Sequence, residues 1–411
     1  MYILLFLLLI VFLFSFIRKG NRVYDLLVYI YTLSFVLQFL IGRNCPYDTT
    51  KTFINLLFIA INIALIFIPW HNVKFQTIVA KKSFVELLRK FLYPILYFNF
   101  VINLFIGAIV YIYMPDIANF KANDGYLELY ELIPGFSLFF RISFVIQNFG
   151  FLAIPIVFYY LNHNETKKAI KAFVLSLSTL IAAFAFYSRA LIFSFCISYF
   201  AYFLLVRNTV PLKFKEKLTG IVKKWGSLIA VLFLIMTFVR FTAMDYYGER
   251  IPKNSFIKNP VLYSLIDYAS SCHENGVYCL ENYKAENCMN GDYMLMTVKM
   301  ILNYFHLASW DSEDFREEAD KAFSGNYGLF NGYVASTVCD IGYFGTFLLS
   351  FFFFIYVNSK TRLRRVTLFD AVILVLLLQI PLNVIFYNYL YTMVFQFLFV
   401  IAVATLSKLK I

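Results

Sequence analysis

Apolar runs long enough to cross about 30 Å of hydrocarbon recur along almost the whole chain, separated by short charged segments. They begin near Tyr2, Val23, Thr52, Phe91, Ile142, Ala172, Ala190, Gly226, Val334, Thr367 and Leu390. The pattern predicts an all-α polytopic membrane protein of about eleven transmembrane helices with a large, mainly helical extracytoplasmic loop. Two boundaries follow from length. The stretch Ala172 to Val206 carries one charge, Arg189, and about 35 residues at 1.5 Å each overshoot one span, so two helices turn at Tyr187-Ser188-Arg189. The same reasoning breaks Thr367 to Leu406 around Pro381, Asn383 and Asn388. The resulting organisation is helices one to eight in 1–242 with an outer loop at 115–141, a large periplasmic loop at 243–333, and helices nine to eleven in 334–411.

The long loop has its own pattern. Asp292 to Trp310 is apolar on most sides, with Asp292 as the expected N-cap, so this helix would lie along or dip into the membrane. A second helix is expected to start after Asp311 or Ser312 and stop at Gly325, with Glu313 and Asp314 complementing its dipole. In the following span, Tyr333, Ser336, Thr337 and Asp340 share one face of a helix starting near Tyr333.

Composition agrees: 61% of the 411 residues are apolar and 15% charged, too few charges for a water-facing surface. The net charge of +12 does not imply nucleic acid, because 23 of the 36 basic residues fall in one alternating set of short loops. By the positive-inside rule that set is cytoplasmic. The N-terminus is then periplasmic, the C-terminus cytoplasmic, and the membrane a bacterial inner membrane. The first apolar run lacks preceding basic residues and a small-x-small cleavage pattern, so it reads as an anchor. Repeats and nucleotide-binding Gly-rich loops are absent from the sequence.

Candidate chemistry concentrates on the outer side. Arg189, at the tip of a tight helical hairpin, suits a phosphate or diphosphate head group and equally suits a snorkelling anchor. Arg141, Arg240 and Arg250 pose the same question. Asp340 should face protein or a wet cavity, and Gly342 and Gly345 after it suit close helix packing. His273 and His306 are the only histidines on that side, and either could act as base or simply pack. Cys272, Cys279 and Cys288 permit a disulfide on an oxidising face. Their spacing with His273 matches no zinc pattern, so no metal and no cofactor are expected.

The run Asn326-Tyr-Gly-Leu-Phe-Asn-Gly-Tyr-Val-Ala-Ser-Thr-Val-Cys-Asp-Ile-Gly-Tyr-Phe-Gly345 resembles the end of the large periplasmic loop and following helix of Wzy-type O-antigen polymerases and related oligosaccharide repeat-unit polymerases. Tyr187-Ser188-Arg189-Ala190 resembles their Ser-Arg turn, and the topology is similar. The Arg-x10-Gly pattern of some members and the His-rich run of the related ligases are absent. The resemblance implies a metal-independent membrane glycosyltransferase joining polyprenyl-diphosphate-linked oligosaccharides. Arginine would hold the leaving diphosphate, and a loop base would activate the acceptor hydroxyl. Membrane lipids and a chain-length regulator protein would be its partners. The rivals are an O-antigen ligase-like transferase and a polysaccharide-unit flippase. An acyltransferase should show an early histidine together with a cytoplasmic acyl-donor route, a combination not found in this chain. A transporter should place polar residues at the bilayer midplane on broken helices in repeated halves.

Overall fold

The computed structural model describes residues 2–17, 22–41, 50–113, 135–216, 251–253, 255–327 and 330–409, with single positions at 133, 220, 235 and 238. The chain is an all-α membrane protein. In order, its described helices are α1 (Tyr2–Phe14), α2 (Arg22–Gln38), α3 (Thr50–Phe67), α4 (Lys82–Tyr113), α5 (Phe136–Ile146), α6 (Gly150–Asn162), α7 (Thr166–Ser176), α8 (Ser178–Ala185), α9 (Arg189–Val206), α10 (Pro260–Ser270), α11 (Cys272–Asn282), α12 (Asp292–Tyr304), α13 (Ser312–Ala322), α14 (Gly332–Thr361), α15 (Leu368–Leu382) and α16 (Val394–Leu409). Strands β1 (Thr77–Val79) and β2 (Arg365–Thr367) pair in parallel. Among the described residues, six helical stretches are long and apolar enough to cross a membrane: Thr52–Trp70, Lys82–Tyr113, Phe136–Asn162, Thr166–Ala185, Arg189–Thr209 and Gly332–Thr361. The apolar parts of α1, α15 and α16 are shorter. The expected span near Gly226, most of the loop at 115–141 and the start of the 243–333 loop lie outside the described residues.

The chain divides into two compact units. One comprises 75–250, 364–376 and 395–411. Its core joins Ile102, Ile106 and Ile109 of α4 to Phe136, Ala182, Ala185 and Phe186. Polar side chains inside it bond to one another, as an environment without water demands: Asn99 donates to Ser178 Oγ (3.1 Å) and Ser143 to Asn103 Oδ1 (2.6 Å). The α8–α9 turn falls at Tyr187-Ser188. Tyr187 takes a left-handed conformation (φ 47°), and Ser188 caps α9 by accepting from the Leu191 amide at 3.4 Å.

The other unit comprises 1–74, 251–363 and 377–394. The sequence pattern predicts that the ninth span runs straight from about Val334, and here the structure differs. The Tyr333 hydroxyl lies 3.1 Å from Ser350 Oγ, 17 positions on, whereas a straight helix would set the two about 25 Å apart. The helix therefore folds back on itself, and the turning point is Gly342, with φ 72° and ψ 174°. Residues 332–341 form a half-helix, and 343–361 run on alone to the basic end, where Thr361 donates to the Pro69 carbonyl at 2.9 Å. Hydrophobicity cannot reveal such a turn, because both halves are apolar.

The N-terminus of the half-helix rests on the break between α15 and α16. The Gly332 and Tyr333 amides donate to the Phe386 and Val384 carbonyls at 2.9 Å each, and the Asn388 amide donates to Ser336 Oγ at 2.7 Å. The interrupted helices thus satisfy each other's freed backbone groups.

Gly342 occupies a backbone region essentially reserved for glycine, so Gly342→Ala should cost about 1–3 kcal/mol. The expected readout is a lowered Tm of the purified, detergent-solubilised protein. An unchanged Tm would mean the turn is not strained.

Candidate functional site

Of the loop helices, α11 and α12 pack against the half-helix. Asp311 caps α13, accepting from the Glu313 (2.6 Å) and Asp314 (3.4 Å) amides. For α12 the expected cap was Asp292, but Gly291 at φ 94° precedes the helix and the cap is supplied from a distance. Asp340 Oδ1 accepts from the Tyr293 amide at 2.9 Å and Oδ2 from the Met294 amide at 3.1 Å. Asp292 is instead paired with Lys299 at 2.5 Å. The neighbouring backbone adds Met289 N to Cys339 O (3.1 Å) and Gly291 N to Asp340 O (2.9 Å). The helix dipole favours negative charge at this end, against the cost of burying it.

This anchoring sets Tyr293 at the edge of an aromatic cavity of about 190 Å³, lined by Tyr293, Phe323, Tyr327, Phe330, Asn331, Tyr387 and Tyr391. Tyr293 meets Tyr391 at 5.3 Å and Phe323 at 5.5 Å between ring centres, and Phe330 meets Tyr387 at 6.0 Å. Burial pushes the Tyr293 and Tyr327 phenols up, so both are neutral and the lining carries no charge. Asn331 stands at the N-cap of the half-helix, a position where asparagine usually accepts from a helix amide. It makes no such bond. Its Nδ2 donates to the Asn326 carbonyl at 3.4 Å, and its Oδ1, in a residue 3% exposed, has no partner.

The backbone around Asn331 is fixed from α11. Asn275 Nδ2 donates to the Phe330 carbonyl at 3.1 Å, and at Gly276 a Cβ would sit 2.6 Å from the Asn331 carbonyl oxygen. Only glycine permits that approach.

The sequence-derived candidates are dispersed. His273 is 3% exposed, enclosed by the rings of Phe6, Tyr31 and Phe35, with Nε2 3.0 Å from Ser34 Oγ. Burial lowers its pKa to about 3, far below what a base working near neutrality needs. It faces a separate void of about 20 Å³, the scale of one water, which Asn331 also borders. His306 is exposed in a left-handed turn (φ 56°) after α12, about 20 Å along the helix from Tyr293. Asp340 is the candidate beside the cavity, and its oxygens hold α12. Arg189 opens α9 half-buried and Arg141 is exposed on α5, both in the other unit. Arg240 and Arg250 lie outside the described residues. Cys272, Cys279 and Cys288 are free thiols turned to different partners, Ser34, the Phe323 carbonyl and the Asp340 carbonyl, so the disulfide that the sequence permits among them is not formed. Sequence reasoning missed the aromatic ring of side chains. Its signals were the alternating Tyr387, Tyr389 and Tyr391 and the Phe330-Asn331 pair.

Comparison with protein-family models, with characterised proteins and with solved structures gives no match.

Two outcomes follow. Asp340→Ala should destabilise the protein by about 1–2 kcal/mol through loss of the cap, with Asp340→Asn retaining part of it; thermal unfolding of the pair reads this, and equal, unchanged Tm values would contradict it. His273 binds its proton less readily folded than unfolded, so its contribution to stability is complete above about pH 6.5 and declines as pH falls towards 3. Between pH 8 and 5 the Tm should therefore drop more steeply for the parent than for His273→Gln.

Proposed function

We propose that this protein polymerises polyprenyl-diphosphate-linked oligosaccharide repeat units into O-antigen or capsule-like polysaccharide at the outer face of a bacterial inner membrane. The observation that carries the proposal is the uncharged aromatic cavity built where the loop helices meet the half-helix. Rings flanked by hydroxyls and one amide suit a neutral ligand with flat C–H faces and many hydroxyls, which is the chemistry of a sugar. In this reading there are eleven spans, the N-terminus is periplasmic, the C-terminus is cytoplasmic, and the 243–333 segment faces the periplasm. The resemblance of Asn326 to Gly345 and of Tyr187 to Ala190 to repeat-unit polymerases supports it independently.

The reaction needs no nucleotide. The acceptor hydroxyl attacks the anomeric carbon of the donor, the bond to the diphosphate breaks, and the polyprenyl diphosphate leaves with the negative charge. Arg189, at a helix N-terminus, fits the stabilisation of that charge, since its guanidinium and the amide dipoles act in the same sense. The acceptor proton passes to a base of the loop; Asp340, whose two oxygens are committed to the α12 amides, positions Tyr293 at the cavity edge.

One observation favours flipping of the lipid-linked unit as the second reading. The half-helix at Gly332 and the α15–α16 break at Val384 to Asn388 are interrupted helices in contact, the arrangement transporters use for substrate sites.

Deletion of the gene in a strain with a glycan coat, followed by gel analysis, separates the readings. Coat glycan of single units supports polymerisation. Lipid-linked polymer without attached glycan indicates ligation, and unflipped precursor indicates transport. Arg189→Ala should shorten the chains strongly and Arg189→Lys partly, and normal-length chains in both would reduce Arg189 to an anchor. A reporter fused within 243–333 should behave as periplasmic.

A further inference from the structure

We infer that α4 and α7 form a docking site for one anionic phospholipid, whose phosphate sits between Arg89 and Lys171 and whose acyl chains run along the exposed face of α4. The inference is independent of the glycan reading.

The argument begins with charge. Lys171 Nζ, on α7, lies 5.7 Å from the ring centre of Tyr93 and 5.8 Å from that of Tyr97 on α4. The guanidinium carbon of Arg89 lies 5.7 Å from the same Tyr93 ring, so two cations share one ring. The carboxylates closest to them in the chain are committed elsewhere: Glu86 pairs with Lys82 at 3.9 Å and Glu165 with Lys168 at 2.7 Å. Among the described residues, no carboxylate pairs with Arg89 or Lys171. Like charges gathered without a counter-charge repel each other, and an anion placed between them turns that repulsion into attraction. Arg89 is half-buried and Lys171 is exposed, so the pair is open to an incoming headgroup.

The surroundings select an amphiphile over a free anion. Tyr97, Val101 and Leu104 are all exposed and lie at i, i+4 and i+7 on one face of α4. On α7, Val174 is exposed one turn on from Lys171. The cations therefore stand at the head of an apolar strip that continues along a helix long enough to span a membrane. Tyr97 marks the junction, where a half-wet ring is favoured. The guanidinium fork suits two phosphate oxygens, and the lysine adds a point charge. A zwitterionic headgroup would carry its own ammonium into this positive field, which favours a lipid with net negative charge. In the orientation proposed above, the leaflet is the cytoplasmic one, and basic clusters on that side attract anionic headgroups.

The experiment uses the full-length protein purified in detergent. Native mass spectrometry counts the lipid retained from micelles doped with phosphatidylglycerol or with phosphatidylcholine of the same acyl chains. The parent is expected to retain one phosphatidylglycerol about thirtyfold more strongly than phosphatidylcholine, the scale of two interfacial cations. Lys171→Gln, at an exposed position that folding tolerates, should reduce that preference about fivefold, and adding Arg89→Gln should remove nearly all of it. Lys81→Gln with Lys213→Gln, two exposed lysines outside the cluster, should leave it unchanged. Equal retention of both lipids by the parent, an undiminished preference in Lys171→Gln, or the same loss in the Lys81 and Lys213 variant overturns the inference. Displacement of the lipid by excess inorganic phosphate also overturns it and assigns the cluster to a free anion.

Discussion

In a chain that crosses lipid, every interrupted helix must find partners for the backbone groups it frees, and here two interruptions answer each other. The amides at Gly332 and Tyr333 bond to carbonyls at Phe386 and Val384, and the Ser336 hydroxyl accepts from Asn388. That mutual satisfaction allows the half-helix to exist, and Gly342 turns it back so that Asp340 reaches the first amides of α12. The loop helices are thus tied to an element inside the apolar part of the chain.

Much of the fold was legible. The helix pair meeting at Tyr187-Ser188, the break between α15 and α16, and the start of α13 at Asp311 all follow from span length, side-chain capping and proline or asparagine position. These are local or one-dimensional constraints. What escaped was non-local. Nothing in the hydropathy of 332–361 distinguishes a straight helix from one folded at Gly342, because both halves are apolar and the decisive contact joins Tyr333 to Ser350. The cap of α12 escaped for the same reason, since Asp340 lies far from Asp292 in sequence and displaces the local candidate.

The candidate site was legible in part. Asp340 drew notice as a carboxylate in an apolar span and His273 as one of two outer histidines; their surroundings then separated them, one beside the cavity and the other sealed in an aromatic sleeve. The tyrosines did not stand out, because in a chain with 31 tyrosines and 50 phenylalanines another aromatic residue is background. Only their convergence from α12, the 323–331 segment and the α15–α16 break makes them a wall.

That convergence has a bearing on biogenesis. The cavity draws Tyr293 and Phe330 from one stretch of the chain and Tyr387 and Tyr391 from another that leaves the ribosome later. The half-helix therefore emerges before the carbonyls of Val384 and Phe386 that receive its first amides. Assembly of this pocket follows synthesis of the α15–α16 break, which ties maturation of the loop to that later stretch of chain.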